Sequence, residues 1–311
     1  MQNEAINSPR VVLLVPVCDP GPAWVDWLAA LRQQTRQPDR VVVLDSESSD
    51  ASAALSRAAG LEVVSIERRH FNHGGTRQQA LEQFAGDADF VVFMSQDATL
   101  AQPQALQQLL CSFDDAQVAA AYGRQLPQPN ATAIEAHARL FNYPACSRTV
   151  QLQDRASIGL RACFLSNAFA AYRVADLQHA GGFARQLILG EDTHLAGRLL
   201  LGGKSLRYAA DACVYHSHDY SSWQEFQRMF DTGVFHADQP WLRREFGTAE
   251  GEGLRFFRSQ AAYLWQHSTR ALPQALWRNA LKLLAYRMGL GRRWLPLSVK
   301  RRCAMHKAYW A

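Results

Sequence analysis

The sequence lacks several features that define common protein classes. None of its six cysteines forms a C-x-x-C pair, which disfavours a metal site built on cysteine and favours reduced thiols in a cytoplasmic protein. No run of about 18 apolar residues is present, so we expect no transmembrane helix. The glycine motifs of P-loop and Rossmann dinucleotide enzymes are missing, and the polar first residues do not resemble a signal peptide.

Acidic residues are absent from the last part of the sequence. All 28 Asp and Glu lie at or before Glu252, whereas residues 253–311 contain twelve Lys and Arg. The net charge of +5 therefore combines a formal −7 on the first 252 residues with +12 on the remainder. This division predicts two regions that have different partners.

Short apolar runs alternate with helical patterns in the first hundred residues. Strands are predicted at 11–17, 41–45, 61–66 and 89–94, with helices between them. Because continuous apolar runs are typical of strands covered on both faces, the pattern predicts an α/β fold with a mostly parallel central sheet flanked by helices.

The rest of the chain is less regular. A loop with two prolines at 125–130 is expected to separate a nucleotide-binding half, about 1–125, from an acceptor half, about 126–220. Region 221–311 is predicted to be helical and basic and to pack on the domain 1–220. The other predicted elements are helices near 131–141 and 191–201 and short strands at 164–165 and 212–215.

Acidic residues follow three of the predicted strands. Asp19, Asp45 and Asp97 each lie at or just beyond the end of an apolar run. Since ligands of open α/β sheets bind beyond the carboxyl ends of the strands, these acids are predicted to form a functional cluster. Helix capping is the alternative, and it is the expected role of Ser49 and Asp50.

Two acidic segments favour metal and proton chemistry. Asp97, in FMSQDAT, could hold Mg²⁺ or Mn²⁺ against a diphosphate, although a turn aspartate is the alternative. Glu191 and Asp192 begin a predicted helix after Gly190. One of these carboxylates could accept a proton from a sugar hydroxyl while the other orients it; simple helix caps are the alternative.

Two further segments carry candidate ligands. His216 and His218 alternate along an extended segment and point the same way; His218 is the preferred metal ligand, and His216 is assigned a structural or orienting role. In HFNHGGTR (70–77), Gly74 would allow close approach of the backbone to phosphate, and Arg77 could bind a diphosphate oxygen. The GGTR string is similar to a loop of sugar-phosphate nucleotidylyltransferases, but it follows the third strand instead of the first.

Taken in order, these segments resemble family 2 glycosyltransferases of the GT-A fold, and especially their bacterial rhamnosyltransferase branch. The similarity covers nearly the whole chain. It is carried by VPVCDPG (15–21), VLDSESSD (43–50), HFNHGGTRQQA (70–80), MSQDAT (94–99), SNAFAAYRVADLQHAGGF (166–183), GEDTHLAGRL (190–199), VYHSHDYS (214–221) and HKAYW (306–310).

The resemblance implies a donor site, a metal site and a base. Asp192 matches the catalytic base, with Glu191 beside it. Asp97 matches the last acid of the D-x-D motif, although Ser95 replaces the first, so that metal binding would depend on Asp97, His218 and the donor diphosphate. The implied nucleotide and donor residues are Pro16, Asp19, Asp45, Gly74, Arg77, Gln96, Asp97, Asn167 and Arg173.

The same resemblance implies an inverting, metal-dependent transfer of L-rhamnose from dTDP-β-L-rhamnose. The acceptor would be lipopolysaccharide or another cell-surface glycan, and the cofactor Mg²⁺ or Mn²⁺. A UDP- or GDP-sugar donor is the alternative, and a sugar-nucleotide-binding protein without catalysis is a more distant one.

The basic region suggests a membrane partner. Residues 273–288 form a predicted helix in which Leu276, Ala280, Leu284 and Met288 make one apolar stripe, while Arg278, Lys282 and Arg287 supply charge. Such a helix favours peripheral binding of 273–311 to an anionic membrane, here the inner face of the cytoplasmic membrane. The alternative is a helix packed on the domain with its charges in water. Nucleic acid is disfavoured, because strand-end acids would repel phosphate.

Overall fold

A central sheet positions every candidate site in this protein. The computed structural model describes residues 8–217, 220–248 and 251–311. Within them the strands are β1 (Val11–Val17), β2 (Arg40–Asp45), β3 (Glu62–Ser65), β4 (Phe90–Met94), β5 (Thr99–Leu100), β6 (Val118–Leu126), β7 (Arg148–Val150), β8 (Phe169–Arg173) and β9 (Ser205–Tyr215).

Helices cover both faces of the sheet and make up nearly all of the regular structure after Ser221. They are α1 (Ala23–Arg32), α2 (Ser52–Ala58), α3 (His73–Phe84), α4 (Ala105–Leu110), α5 (Ala133–Asn142), α6 (Arg155–Ile158), α7 (Val174–His179), α8 (Glu191–Leu201), α9 (Ser222–Asp238), α10 (Pro240–Phe246), α11 (Glu252–His267), α12 (Leu272–Leu290) and α13 (Leu297–Cys303). None of the helices in the described residues is both long and apolar enough to cross a membrane.

The first half of the sheet is parallel, as the apolar runs predict. Its order is β3-β2-β1-β4, and all three pairings are parallel. Successive residues of β1 face opposite sides: Leu13 packs with Trp24 and Trp27, whereas Leu14 packs with Leu81 and Phe84. Burial on both faces explains the unbroken apolar sequence.

The second half of the sheet is mixed, so the expectation of a mostly parallel sheet is wrong there. Strand β8 is antiparallel to both β4 and β6, β9 is parallel to β6, and β5 and β7 pair antiparallel with β9. Both kinds of strand are buried on two faces here, and an apolar run does not reveal its direction.

Three strand assignments also change. Residues 164–165 are not a strand, and 212–215 is only the end of the longer β9. Strand β6 extends through Gln125 and Leu126 into the expected loop. Its Ala-rich sequence has low strand propensity, and burial in the sheet overrides that preference.

Region 221–311 packs on the domain through several helices: α11 packs against α5, and the Phe235 ring of α9 lies against Gly190. Helix α9 packs tightly against α12 through two glycines: a Cβ on Gly289 would lie 2.1 Å from the Phe230 carbonyl oxygen, and one on Gly233 would lie 2.3 Å from that of Tyr286. No larger residue fits such a contact without moving a helix backbone.

Candidate active site

The reversal of β8 creates the site. Because β8 runs antiparallel to β4, its first residue, Phe169, lies opposite Met94 at the carboxyl end of β4. The backbone N–H of Ser95 donates to the Ala168 carbonyl (3.1 Å). Asn167 therefore lies at the same edge as the acids that follow β1, β2 and β4.

A carboxylate pair at the start of α8 is held by Asn167. The Asn167 Nδ2 group donates to Glu191 Oε1 (3.1 Å), and its backbone N–H donates to Asp192 Oδ2 (3.3 Å). The Tyr172 hydroxyl in turn donates to Asn167 Oδ1 (2.6 Å). Gly190, with a φ of 77°, turns the chain into the helix. The two carboxylates are thus fixed by buried neighbours.

The two acids have opposite pKa shifts. Burial opposes ionisation of Glu191, but its ion pair with Arg77 (Nη1 to Oε1, 3.1 Å) and the Asn167 hydrogen bond together hold its pKa below the usual range. Burial and the neighbouring Glu191 charge raise the pKa of Asp192 to about 7. A base whose pKa lies near the operating pH is best suited to proton transfer.

Arg77 and Gly74 lie behind this pair instead of in an open cleft. Arg77 is only 5% exposed, and its guanidinium contacts Glu191 and the His73 carbonyl oxygen. A Cβ on Gly74 would lie 2.0 Å from the Ala184 carbonyl oxygen. The close approach that Gly74 permits is therefore to protein backbone, and this placement gives Arg77 a structural role and does not favour contact with a diphosphate.

Asp97 lies beside His216 in a defined hydrogen-bond network. Gln125 Oε1 accepts from Arg139 Nη1 (2.6 Å) and from His216 Nδ1 (2.8 Å). Nδ1 therefore carries a proton, and Nε2 of His216 lies 3.3 Å from Asp97 Oδ1. An imidazole oriented in this way is typical of a metal ligand.

The described residues could hold a divalent cation only together with oxygen atoms from a bound substrate. The described residues contain no cluster of three or more His, Cys, Asp or Glu that could hold a metal ion. Asp97 and His216 supply two donors, and Mg²⁺ commonly takes one or two carboxylates together with substrate phosphates. The preferred ligand, His218, lies outside the described residues.

Polar side chains lie beyond the carboxyl ends of β1 and β2. Asp45 is buried, and its Oδ1 has no hydrogen-bond partner among the described residues. Asp19, at a φ of 46°, accepts from the Ser49 backbone N–H (2.6 Å), and this bond together with Arg68 lowers its pKa to about 2. Pro16 is on β1, paired with the residue before Asp45.

The side chains of Gln96 and Arg173 are bonded to backbone groups outside this polar cluster. Gln96 exchanges two hydrogen bonds with the backbone of Cys18, at 2.6 and 3.0 Å, and so joins the ends of β1 and β4. Arg173 lies opposite Phe90, at the far edge of the sheet, where it donates to the Phe113 carbonyl oxygen (3.1 Å). The predicted role of Arg173 in the donor pocket is wrong because β8 runs away from the site.

Three polar residues of the site escaped prediction. Arg68 contacts Asp19 and the Cys18 sulfur. Gln125 was assigned to a loop, and Arg139 lies on an amphipathic helix that gives no sign of its inner partner. Of these three residues, only Arg68 could have been found from the sequence, because it lies two residues before the HFNHGGTR motif. The expected capping of α2 by Ser49 and Asp50 is not observed: Ala51 is the N-cap residue, and Asp50 accepts from the backbone N–H groups of Ser52 (3.0 Å) and Gly21 (2.8 Å).

Comparison with known proteins identifies the family. Residues 9–231 match the family model described as Glycosyltransferase like family 2. The O-antigen chain rhamnosyltransferase WbaN of Salmonella anatum is 42% identical over 303 residues, which cover 97% of this chain and 96% of the relative. RfbN of Salmonella typhimurium strain LT2, another O-antigen chain rhamnosyltransferase, is 40% identical over 302 residues with the same coverage.

Solved structures with low sequence identity share the fold. The mannosyltransferase PcManGT from Pyrobaculum calidifontis, in complex with GDP-Man and Mn²⁺, superposes with a TM-score of 0.62 at 18% identity, covering 92% of this chain and 88% of its own. S. aureus TarS 1–349 gives 0.52 at 16% identity, with 91% of each chain covered. The expected fold is confirmed, and the chain belongs to glycosyltransferase family 2.

Proposed function

We propose that this glycosyltransferase transfers L-rhamnose from dTDP-β-L-rhamnose to a cell-surface glycan acceptor, with inversion at the anomeric carbon. The sugar is supported by the two O-antigen rhamnosyltransferases, which are similar over 97% of the chain. The chemistry is supported by one observation above all: Asp192, held by Asn167, has a pKa of about 7 beside an ionised Glu191.

Asp192 is the general base of the proposed reaction. The acceptor hydroxyl oxygen attacks the anomeric carbon while its proton passes to the Asp192 carboxylate. The bond from the anomeric carbon to the diphosphate oxygen breaks, and dTDP leaves with that electron pair. Because attack comes from the face opposite the leaving group, a β-linked donor gives an α-linked product.

Neighbouring residues prepare Asp192 for this step. Arg77 neutralises Glu191 (3.1 Å), so that a second charge can be kept next to the base. Asn167 fixes the direction of the Asp192 carboxylate. Such positioning contributes to the rate because the reacting groups need no further ordering.

The donor nucleotide is proposed to bind beyond the carboxyl ends of β1 and β2. The unpartnered Oδ1 of Asp45 is suited to accept from a nucleobase N–H or a ribose hydroxyl, and Pro16 and Asp19 form the adjoining wall. Asp97 and His216, together with His218, the ligand predicted from the sequence, would hold Mg²⁺ or Mn²⁺. The cation would supply charge stabilisation for the diphosphate.

Donor choice can be tested by thermal stabilisation with dTDP-rhamnose, UDP- and GDP-sugars, each with and without Mg²⁺ or Mn²⁺. Binding to the native state raises the melting temperature by mass action. We expect a metal-dependent shift with dTDP-rhamnose. A larger shift with a UDP- or GDP-sugar would overturn the rhamnose donor while leaving the base unaffected.

We also propose that region 221–311 docks the enzyme on the cytoplasmic face of an anionic membrane, where a lipid-linked glycan acceptor would be reached. Helix α12 exposes its apolar side: Leu276, Trp277, Leu283 and Leu284 are each at least 53% exposed. The segments that flank α12 expose two more tryptophans, Trp265 and Trp294, at 72% and 77%.

Two of the three basic side chains of α12 point the other way, whereas Arg287 is exposed. Arg278 is buried and lies 3.6 Å from Glu225 of α9, and Lys282 lies 3.9 Å from the same carboxylate. This arrangement supports membrane contact over the alternative, in which the charges face water and the leucines pack inward. Exposed tryptophans surrounded by arginines suit an interface with anionic headgroups.

Binding to vesicles tests this face directly. The double variant Trp277→Ser/Leu284→Ser should lose most co-sedimentation with phosphatidylglycerol vesicles, whereas Val25→Ser, an equally exposed apolar position on α1, should bind as the unaltered enzyme does. Undiminished binding of the double variant would overturn the proposed docking face.

A further inference from the structure

Residues 304–310, called the latch segment from here on, contain the HKAYW motif and have no part in the transfer described so far. The segment follows α13, starts at the fully buried Ala304 and lies along α9. Two side chains, one turn apart on α9, bind it. Gln227 Nε2 donates to the Ala304 carbonyl (3.0 Å), and Asp231 Oδ2 accepts from the backbone N–H groups of Met305 (3.0 Å) and His306 (2.9 Å).

Asp231 is a costly way to fasten a segment of chain. Its side chain has no exposed surface, and its second oxygen, Oδ1, has no hydrogen-bond partner among the described residues. Burial raises the pKa of this carboxyl to about 7. Since apolar contacts would attach the segment at lower cost, the two hydrogen bonds indicate that the position of residues 305 and 306 matters.

These hydrogen bonds hold His306 next to His73, which lies behind the Glu191–Asp192 pair. The His306 ring lies edge-on to the ring of His73, with 4.9 Å between their centroids. His73 begins α3, and its carbonyl oxygen accepts from Arg77 Nη1 (3.0 Å). Arg77 in turn forms the ion pair with Glu191, beside Asp192. Two motifs more than 200 residues apart in sequence thus meet behind the proposed base.

We propose that His306 is a positioning residue for the transfer, and that Asp231 and Gln227 hold it there through the latch segment. The ring of His306 closes the side of the site next to His73. It thereby keeps the Arg77–Glu191 ion pair in place and water away from it. This inference rests on the proposed role of Asp192 as base.

Kinetics of His306→Ala test the proposal, with the adjacent exposed Lys307→Ala as the matched control. We expect kcat to fall by about 10- to 100-fold in His306→Ala, because a small displacement of a catalytic group has effects of this size. The donor Kd should change by less than about twofold, and Lys307→Ala should behave as the unaltered enzyme. Unchanged kcat in His306→Ala overturns the proposal.

The pH profile gives a readout that a purely structural role would not move. Burial is the main cause of the raised pKa of Asp192, so admitting water lowers that pKa and moves the acid limb of kcat to lower pH. The charges that act on Asp192 are those of Glu191 on α8, which raises its pKa, and Arg77 on α3, which lowers it, while the buried Tyr172 and Tyr143 are uncharged. Because loosening of the Arg77–Glu191 pair changes these two contributions in opposite directions, the entry of water decides the direction of the shift. An acid limb at the unaltered pH in His306→Ala would contradict the proposal.

Two variants of Asp231 distinguish the proposed role of the latch segment from a general loss of stability. Asp231→Asn keeps an oxygen that can accept both backbone N–H groups and should retain most activity, whereas Asp231→Ala should repeat the His306→Ala kinetics. Equal kcat in these two variants would overturn the role of Asp231, and His306→Ala remains informative if Asp231→Ala fails to fold. Asp192→Asn, assayed alongside, shows whether the proposed base itself has failed.

Discussion

The catalytic domain and region 221–311 treat buried charge in opposite ways. In the domain, buried charges meet at the carboxyl edge of the sheet, where Arg77, Glu191 and Asp192 form the proposed reaction centre. In region 221–311, α12 turns Arg278 inward to Glu225 and leaves three leucines and a tryptophan in water. Burial of charge therefore serves chemistry in one region and frees an apolar surface in the other.

Removing the proposed base, Asp192, should have the largest effect, and it falls on the catalytic domain. Asp192→Asn cannot accept the acceptor proton, and we expect kcat to fall by about 10²- to 10⁴-fold, the usual range for general-base catalysis. Donor binding should persist, since Asn keeps the shape of the side chain. Asp87→Asn, at an exposed position away from the site, is the control, and near-normal turnover in Asp192→Asn would exclude Asp192 as base.

Acid should suppress the domain's chemistry over a defined range. The Asp192 carboxyl, with its pKa raised to about 7, must be ionised to act, so kcat should fall about tenfold per pH unit below that value. Asp192 is protonated below the limb and charged above it. A rate profile that stays flat down to pH 5 would contradict this assignment.

Forcing α9 and α12 apart within region 221–311 should reduce stability. In Gly289→Ala the added methyl would collide with the Phe230 carbonyl oxygen, and we expect a loss of about 1–3 kcal/mol in the free energy of unfolding. Gly253→Ala on α11 has no atom within 4 Å of the new Cβ and should be neutral or slightly stabilising. Denaturant unfolding measures both, and equal stability would mean that the helix contact is looser than described.

The smallest effect is expected at the far edge of the sheet. Arg173→Met removes the bond to the Phe113 carbonyl and should leave kcat and donor Kd within about twofold, with a loss of about 1 kcal/mol in stability. A large loss of donor affinity would restore Arg173 to the donor pocket.

Sequence patterns were sufficient where local order decides the structure. The runs at β1 and β4, the helix that starts at Glu191 and the acids after the strands were all predicted. The direction of β8 was not, because an antiparallel and a parallel strand have the same apolar pattern. That single reversal brings Asn167 into the site and takes Arg173 out of it.

Partners across the fold account for the other differences. Nothing near Arg77 in sequence shows that Glu191 will meet it, and HFNHGGTR is compatible with either a phosphate or a carboxylate as its ligand. The stripe on α12 was predicted correctly as a stripe, but its orientation depends on Glu225, which belongs to another helix. Periodicity shows that a helix has two faces and does not show which face its neighbours cover.

Helix α9 contacts functional parts of both the catalytic domain and region 221–311, so the two are expected to be inherited together. Its Phe235 ring fills the space where a Cβ on Gly190 would lie, two residues before the proposed base, while its Glu225 orients α12 and its Asp231 binds the latch segment. A single helix therefore carries constraints from the reaction centre, the exposed apolar face and the latch. Exchange of region 221–311 between relatives would replace part of the active-site wall together with the proposed membrane-docking face, so we expect acceptor delivery and catalysis to change together.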